Sequence, residues 1–122
     1  MKKRILLIED MKGVRESLEI ILAMQDFHVE MAADGAEGLR MAKAANFDLV
    51  ITDILMPEID GAEVILALRA AGSKTPILAI SGGGNGVSAA AALTLAKAKA
   101  DAVLEKPFSK ADVLAAVRKL IP

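Results

Sequence analysis

The feature that most constrains this chain is an alternation of strand-length apolar runs with segments of helical periodicity. The runs are 4–9 (RILLIE), 27–32 (FHVEMA), 48–53 (DLVITD), 76–81 (PILAIS) and 101–105 (DAVLE). Those at 4–9, 48–53 and 76–81 are nearly continuous in apolar residues, as strands covered on both faces must be. The run at 27–32 alternates Phe27, Val29 and Met31 with His28 and Glu30, which fits an edge strand with one wetter face. His28, the one histidine, is expected to be exposed there, with no role in the chemistry.

Helices fit between the runs. Val14, Leu18, Ile21 and Leu22 share one helical face, and so do Val113, Leu114, Val117, Leu120 and Ile121. Asp34 with Glu37, Asp60 with Glu63, and Ser109 with Asp112 each pair an N-cap oxygen with an acid three residues on. The last pair is expected to be the weakest, because Asp reaches back less well than Glu. Gly72 and Ser73 should close the third helix ahead of Pro76. A further helix, rich in Ala, is expected over 87–100 (VSAAAALTLAKAKA).

Five strands and five helices in strict alternation make a (βα)₅ α/β chain with a parallel sheet and helices on both faces. Crossovers are right-handed, and the common doubly wound order for five strands is 2-1-3-4-5. Ligands bind such sheets outside the carboxyl ends of the strands, here between strands 1 and 3. A length of 122 residues is that of one domain, expected over 1–122. An apolar fraction of 54%, with aromatics only 2%, predicts a core of Leu, Ile, Val, Ala and Met.

Charge and composition exclude several classes. Net charge is −1, and the only basic cluster, Lys2-Lys3-Arg4, reads as a solvated lead-in to the first strand. No basic stripe marks a nucleic-acid partner. With no cysteine there is neither a disulfide framework nor a thiolate metal site. No apolar stretch approaches the ~20 residues of a membrane span, and the N-terminus lacks a signal segment. The expectation is a cytoplasmic protein with no membrane partner.

The chemistry stands at the strand ends. The first ends in Glu9-Asp10, the third in Asp53 and the fourth in Ser81; Lys106-Pro107 follows the fifth. A parallel sheet gathers these residues along one edge. Three clustered carboxylates repel one another unless a cation joins them. Mg²⁺ suits them, since it takes oxygen ligands and keeps waters or a phosphate oxygen. Asp10 and Asp53 are the expected direct ligands, Glu9 acts through water, and the backbone carbonyl of Leu55 completes the set. Lys106 and the Ser81 hydroxyl would share the charge of an arriving phosphoryl group. Carboxylates form aspartyl-phosphate, and Asp53, on the central strand, is the expected nucleophile. Taken singly, each residue also fits a bland role as turn former, cap or solvated charge; it is the set that speaks.

ILLIED (5–10), DLVITDILMPEIDG (48–61), PILAIS (76–81) and ADAVLEKPF (100–108) together resemble the receiver domain of two-component response regulators, over essentially the whole chain. The resemblance implies a flavodoxin-like fold and phosphorylation by a histidine kinase or histidine phosphotransfer protein. By position, Asp53 corresponds to the phosphoacceptor, Glu9 and Asp10 to the acidic pair for Mg²⁺, Ser81 to the switch hydroxyl and Lys106 to the active-site lysine. It also implies a cis Lys106–Pro107 bond.

Two departures stand out. Val103 occupies a position where the family often has Tyr or Phe, and the loop SGGGNG (81–86) is unusually rich in glycine. Readout through ordering of that loop and of 87–100 is therefore expected. The chain reads as a stand-alone receiver that signals through a partner protein and is no enzyme beyond acting on its own phosphoryl group. Two rival readings exist. GNGVSA (84–89) fits G-x-G-x-x-A, so Gly84, Gly86 and Ala89 would belong to a dinucleotide-binding Rossmann-like module, with Glu105 as the ribose acid. The other is a receiver-like adaptor that is never phosphorylated.

Overall fold

A computed structural model describes residues 2–54, 60–81, 94 and 99–122. Five parallel strands form one sheet: β1 (Arg4–Ile8), β2 (His28–Ala32), β3 (Leu49–Asp53), β4 (Ile77–Ser81) and β5 (Ala102–Glu105), in the order β2-β1-β3-β4-β5. The four helices among the described residues are α1 (Lys12–Ala23), α2 (Gly35–Ala44), α3 (Gly61–Ala70) and α4 (Lys110–Leu120). This is the flavodoxin-like, doubly wound arrangement expected. The helix expected over 87–100 and the glycine-rich loop fall outside the described residues, apart from Ser81, Thr94, Lys99 and Ala100. No helix among the described residues is long and apolar enough to cross a membrane.

The pleat divides the core in two. Ile5, Leu7, Leu49, Ile51, Leu78 and Ile80 point to the face covered by α1 and α4. Leu6, Ile8, Val50, Ile77 and Ala79 point to the face covered by α2 and α3. Both sides of the central strands are thus dry, which is why their sequences lack alternation. β2 lies at one edge, with His28 exposed and Val29 and Met31 packed on the α1/α4 side. The other edge is β5.

The caps form as expected, with one reversal. Asp34 accepts from the Glu37 amide at 2.7 Å and Asp60 from the Glu63 amide at 2.9 Å. Yet the pair expected to be weakest, Ser109 with Asp112, closes a full capping box: Asp112 N donates to Ser109 Oγ at 3.1 Å and Ser109 N to Asp112 Oδ2 at 2.9 Å. The short Asp side chain suffices. At the end of α3, Gly72 sits at φ +84°. Its amide donates to Arg69 O and that of Ser73 to Leu68 O, the paired bonds of a Schellman turn.

Arg4 departs from the solvated lead-in read from the sequence. It opens β1, its guanidinium lies 4.9 Å from the Phe47 ring centroid, and it is paired with Glu30. Its amide donates to Asp48 Oδ2 at 2.7 Å. An aromatic face and two acids brought up by neighbouring strands hold it in place.

Replacing Ser109 by Ala removes the oxygen half of the capping box. It should cost about 1 kcal/mol and lower the melting temperature by roughly 3–5 °C for a chain of this size, read by circular dichroism.

Candidate functional site

Parallel register makes the site. Ile8 pairs with Thr52, Asp53 with Ile80 and Ser81 with Glu105. The next residue beyond Ile8, Glu9, therefore stands beside Asp53 at the carboxyl edge. Carboxylate oxygens of Glu9, Asp10 and Asp53 all lie within 4.8 Å of one another. Lys106 Nζ reaches Asp53 Oδ2 at 3.1 Å across 53 residues of sequence. The Lys106–Pro107 bond is cis. Lys106 N donates to Ser81 O at 2.9 Å, which ties the two neighbouring strand ends together. Ser81 thus shares the rim with the acids and Lys106. Leu55 lies outside the described residues, and so do Gly84, Gly86 and Ala89.

Asp53 is nearly sealed, at 3% exposure, and Glu9 is fully buried. Met11 N donates to Glu9 Oε1 at 3.2 Å, while Glu9 Oε2 is buried and has no hydrogen-bond donor among the described residues. Burial, and then the charge of Asp53, push the Glu9 carboxyl up to about 7 from its ordinary 4.5. A buried acceptor oxygen without a donor, set among carboxylates, fits a hard divalent cation: such an ion supplies the missing partner and relieves the repulsion.

Two further residues shape the site and were not singled out from the sequence. Gly61, the first residue of α3, donates its amide to Ile54 O at 2.8 Å. A Cβ there would lie 1.9 Å from Asp53 O and 2.7 Å from Asp53 C. Only glycine lets α3 approach the backbone that carries Asp53. Thr52 Oγ1 donates to the same Asp53 carbonyl at 3.0 Å. The signal for Gly61 was a glycine at the first helical position, where nearly any residue would make a better helix. Arg15 is the other residue: its Nη1 donates to Glu9 O at 2.8 Å and approaches Asp10 O at 3.5 Å.

The family model for the response regulator receiver domain matches residues 5–118. The chain belongs to this family. It is 38% identical over 121 residues to the response regulator MprA of Mycobacterium ulcerans, and likewise to that of Mycobacterium tuberculosis. These alignments cover 99% of this chain, and the chain spans about half the length of the curated relatives it matches, 51%. Among solved structures, the chemotaxis response regulator CheY4 of Vibrio cholerae superposes with a TM-score of 0.85 at 29% identity, covering 98% of this chain and 99% of that one. A putative response regulator from Chloroflexus aurantiacus gives 0.86 at 29% identity, with 99% and 98% covered. The family match runs through the glycine-rich stretch read above as a dinucleotide fingerprint.

In this receiver the Val103 position is part of β5, paired with Ala79 and partly buried on the α2/α3 side.

Two outcomes follow from the site geometry. Gly61→Ala forces backbone rather than a side chain to move, so it should cost about 2 kcal/mol or more. The melt would show the loss, and the amide resonances of Thr52–Ile54 would show the displacement. For Glu9, folding favours the protonated acid, so its contribution to stability is full below pH 4.5 and is lost as pH rises through about 7. In EDTA, the wild type should therefore lose melting temperature relative to Glu9→Gln as pH rises from 4.5 to about 7. A constant difference would contradict this.

Proposed function

We propose that this receiver accepts a phosphoryl group on Asp53 from a phosphohistidine of a histidine kinase or histidine phosphotransfer protein, and signals through a downstream protein partner. The observation that carries the reading is the Asp53–Lys106 contact of 3.1 Å inside a rim that also holds Glu9 and Asp10. An oxygen of the Asp53 carboxylate forms the new bond to phosphorus; the P–N bond of the donor breaks, and the imidazole nitrogen keeps the electron pair. Hydrolysis later returns inorganic phosphate and the free carboxylate. Lys106 stands ready to balance charge on the phosphoryl oxygens, and the Ser81 hydroxyl is the donor on the neighbouring strand.

Glu9, Asp10 and Asp53 are the residues that would hold Mg²⁺, with the Leu55 carbonyl as the expected further ligand. When bound, the ion supplies positive charge against the three carboxylates and the incoming phosphoryl oxygens. The protein modifies only itself, so we class it as a signalling module rather than an enzyme, and we place it in the cytoplasm.

Beside the rim, Met11 is exposed at the N-cap of α1, and Ile20 and Met24 are exposed toward the far end of the helix. A cavity of about 390 Å³ is lined by Met11, Val14, Ile21 and Phe108. This apolar surface supports contact with the phosphodonor on the α1 side.

The test is intact-mass analysis after acetyl phosphate with Mg²⁺. Wild type should gain one phosphoryl group, Asp53→Asn none, and EDTA should abolish the gain. Lys106→Ala should slow the reaction by about 10²-fold. An unmodified wild type would favour the adaptor reading, and modification persisting in Asp53→Asn would move the acceptor elsewhere.

A further inference from the structure

The turn between β1 and α1 carries two of the three acids, yet its own support is thin. The N-cap of α1 is Met11, which offers no side-chain cap, and the helix has no acid in its first turn. The Met11 amide is instead held by the Glu9 carboxylate, at 3.2 Å. That draws on an oxygen of a group that also faces Asp53. Something else must fix the turn, and the guanidinium of Arg15 is placed to do so. It folds back from the first turn of α1 onto the main-chain carbonyl of Glu9, 2.8 Å away, with that of Asp10 at 3.5 Å.

Arg15 is poorly placed on other grounds. A cation at a helix N-terminus opposes the macrodipole, and Lys12 already puts one there. Among the described residues no carboxylate pairs with Arg15; its recorded side-chain bonds go to backbone carbonyls. Its position is explained by what those carbonyls carry. One charged guanidinium nitrogen, with its two N–H groups, can donate to two adjacent carbonyls at once, and holding them orients the Glu9 and Asp10 side chains toward Asp53.

We propose that Arg15 is a positioning residue of the phosphoryl site: by clamping the Glu9 and Asp10 carbonyls it sets the arrangement of the acidic cluster, and with it the affinity for the divalent cation, which it never touches. This rests on the phosphoacceptor reading of the same site.

The sign of the effect separates positioning from simple charge. Removing a positive charge near three carboxylates should, by Coulomb's law alone, tighten cation binding. Loss of positioning should weaken it, as loss of an orienting partner behind metal ligands does.

The experiment is Mg²⁺ titration by calorimetry of wild type, Arg15→Gln, Arg15→Lys and Lys12→Gln, well below melting, with melts in EDTA alongside. Arg15→Gln should raise the Kd for Mg²⁺ about tenfold. Arg15→Lys should recover part of the loss, since an ammonium keeps the charge and the donors but lacks the planar, pre-organised guanidinium that aims them. Lys12→Gln, which removes a cation from the same helix start without touching the turn, should leave the Kd unchanged or slightly lower. An Arg15→Gln Kd equal to or below that of wild type overturns the proposal, even if its melting temperature falls, because that is the mark of a purely structural arginine. Failure of the underlying reading looks different: wild type itself would bind no Mg²⁺ or take no phosphoryl group, and both ideas would fall together.

Discussion

Repulsion among Glu9, Asp10 and Asp53 is the constraint that the rest of the receiver answers. Three carboxylates within 4.8 Å of one another, two of them buried, are unfavourable in any folded chain without compensating charge. The chain's own answers are partial. Lys106 meets Asp53 at 3.1 Å, and the Glu9 carboxyl is pushed up to about 7. What remains must be outweighed by packing. β1 alone buries Ile5, Leu6, Leu7 and Ile8 completely. At roughly 1.5–3 kcal/mol for each such side chain, that single strand offsets a destabilisation of several kcal/mol at its own end. The strand that leads into Glu9 and Asp10 is thus firmly held, and this makes the crowded acidic rim sustainable.

Long-range side-chain bonds then keep the strand ends aligned. Asp101 accepts from Ile77 N and from Arg69, both at 2.8 Å, at the start of β5, and Lys106 N donates to Ser81 O at its end. Arg69 spreads further, to the carbonyls of Lys99, Ser73 and Thr75. It fastens the C-terminus of α3 to the entry of β5, while the carboxyl end of the sheet is left to the site.

Much of this was legible in the sequence, because the two signals it uses are local. A run such as RILLIE states that both faces of its strand are dry, and a run such as FHVEMA states that one is not. Once the sheet is parallel, strand ends fall on one rim, so Glu9, Asp10, Asp53, Ser81 and Lys106 could be grouped before any distance was known. What stayed hidden depends on where backbone goes. Arg15 acts through carbonyl groups, which have no letter in a sequence. Gly61 is required by the proximity of Asp53 O, a contact between β3 and α3 that no spacing rule encodes. Arg4 looked like one member of a basic triplet because Phe47, Asp48 and Glu30 reach it only through strand pairing. The capping box at Ser109 was underrated for a related reason: side-chain length matters less than the local backbone path that brings Asp112 back to the cap.

The same geometry bears on how a change at Asp53 would leave the site. Val103 is β-branched and stiff about χ1. It is also partly buried against the α2/α3 core, opposite Ala79. A relay through a rotating side chain is therefore closed at this point. β5 itself is fastened at both ends to β4, so it resists sliding as a unit. Among the described residues, the remaining degrees of freedom at the rim belong to the side chains of Lys106 and Ser81. Lys106 is drawn toward whatever charge sits at Asp53, and its amide is bonded to the Ser81 carbonyl, so a shift at one strand end is felt at the other through a single 2.9 Å bond. Among the described residues, this main-chain contact is what joins the ends of β4 and β5 beside Asp53.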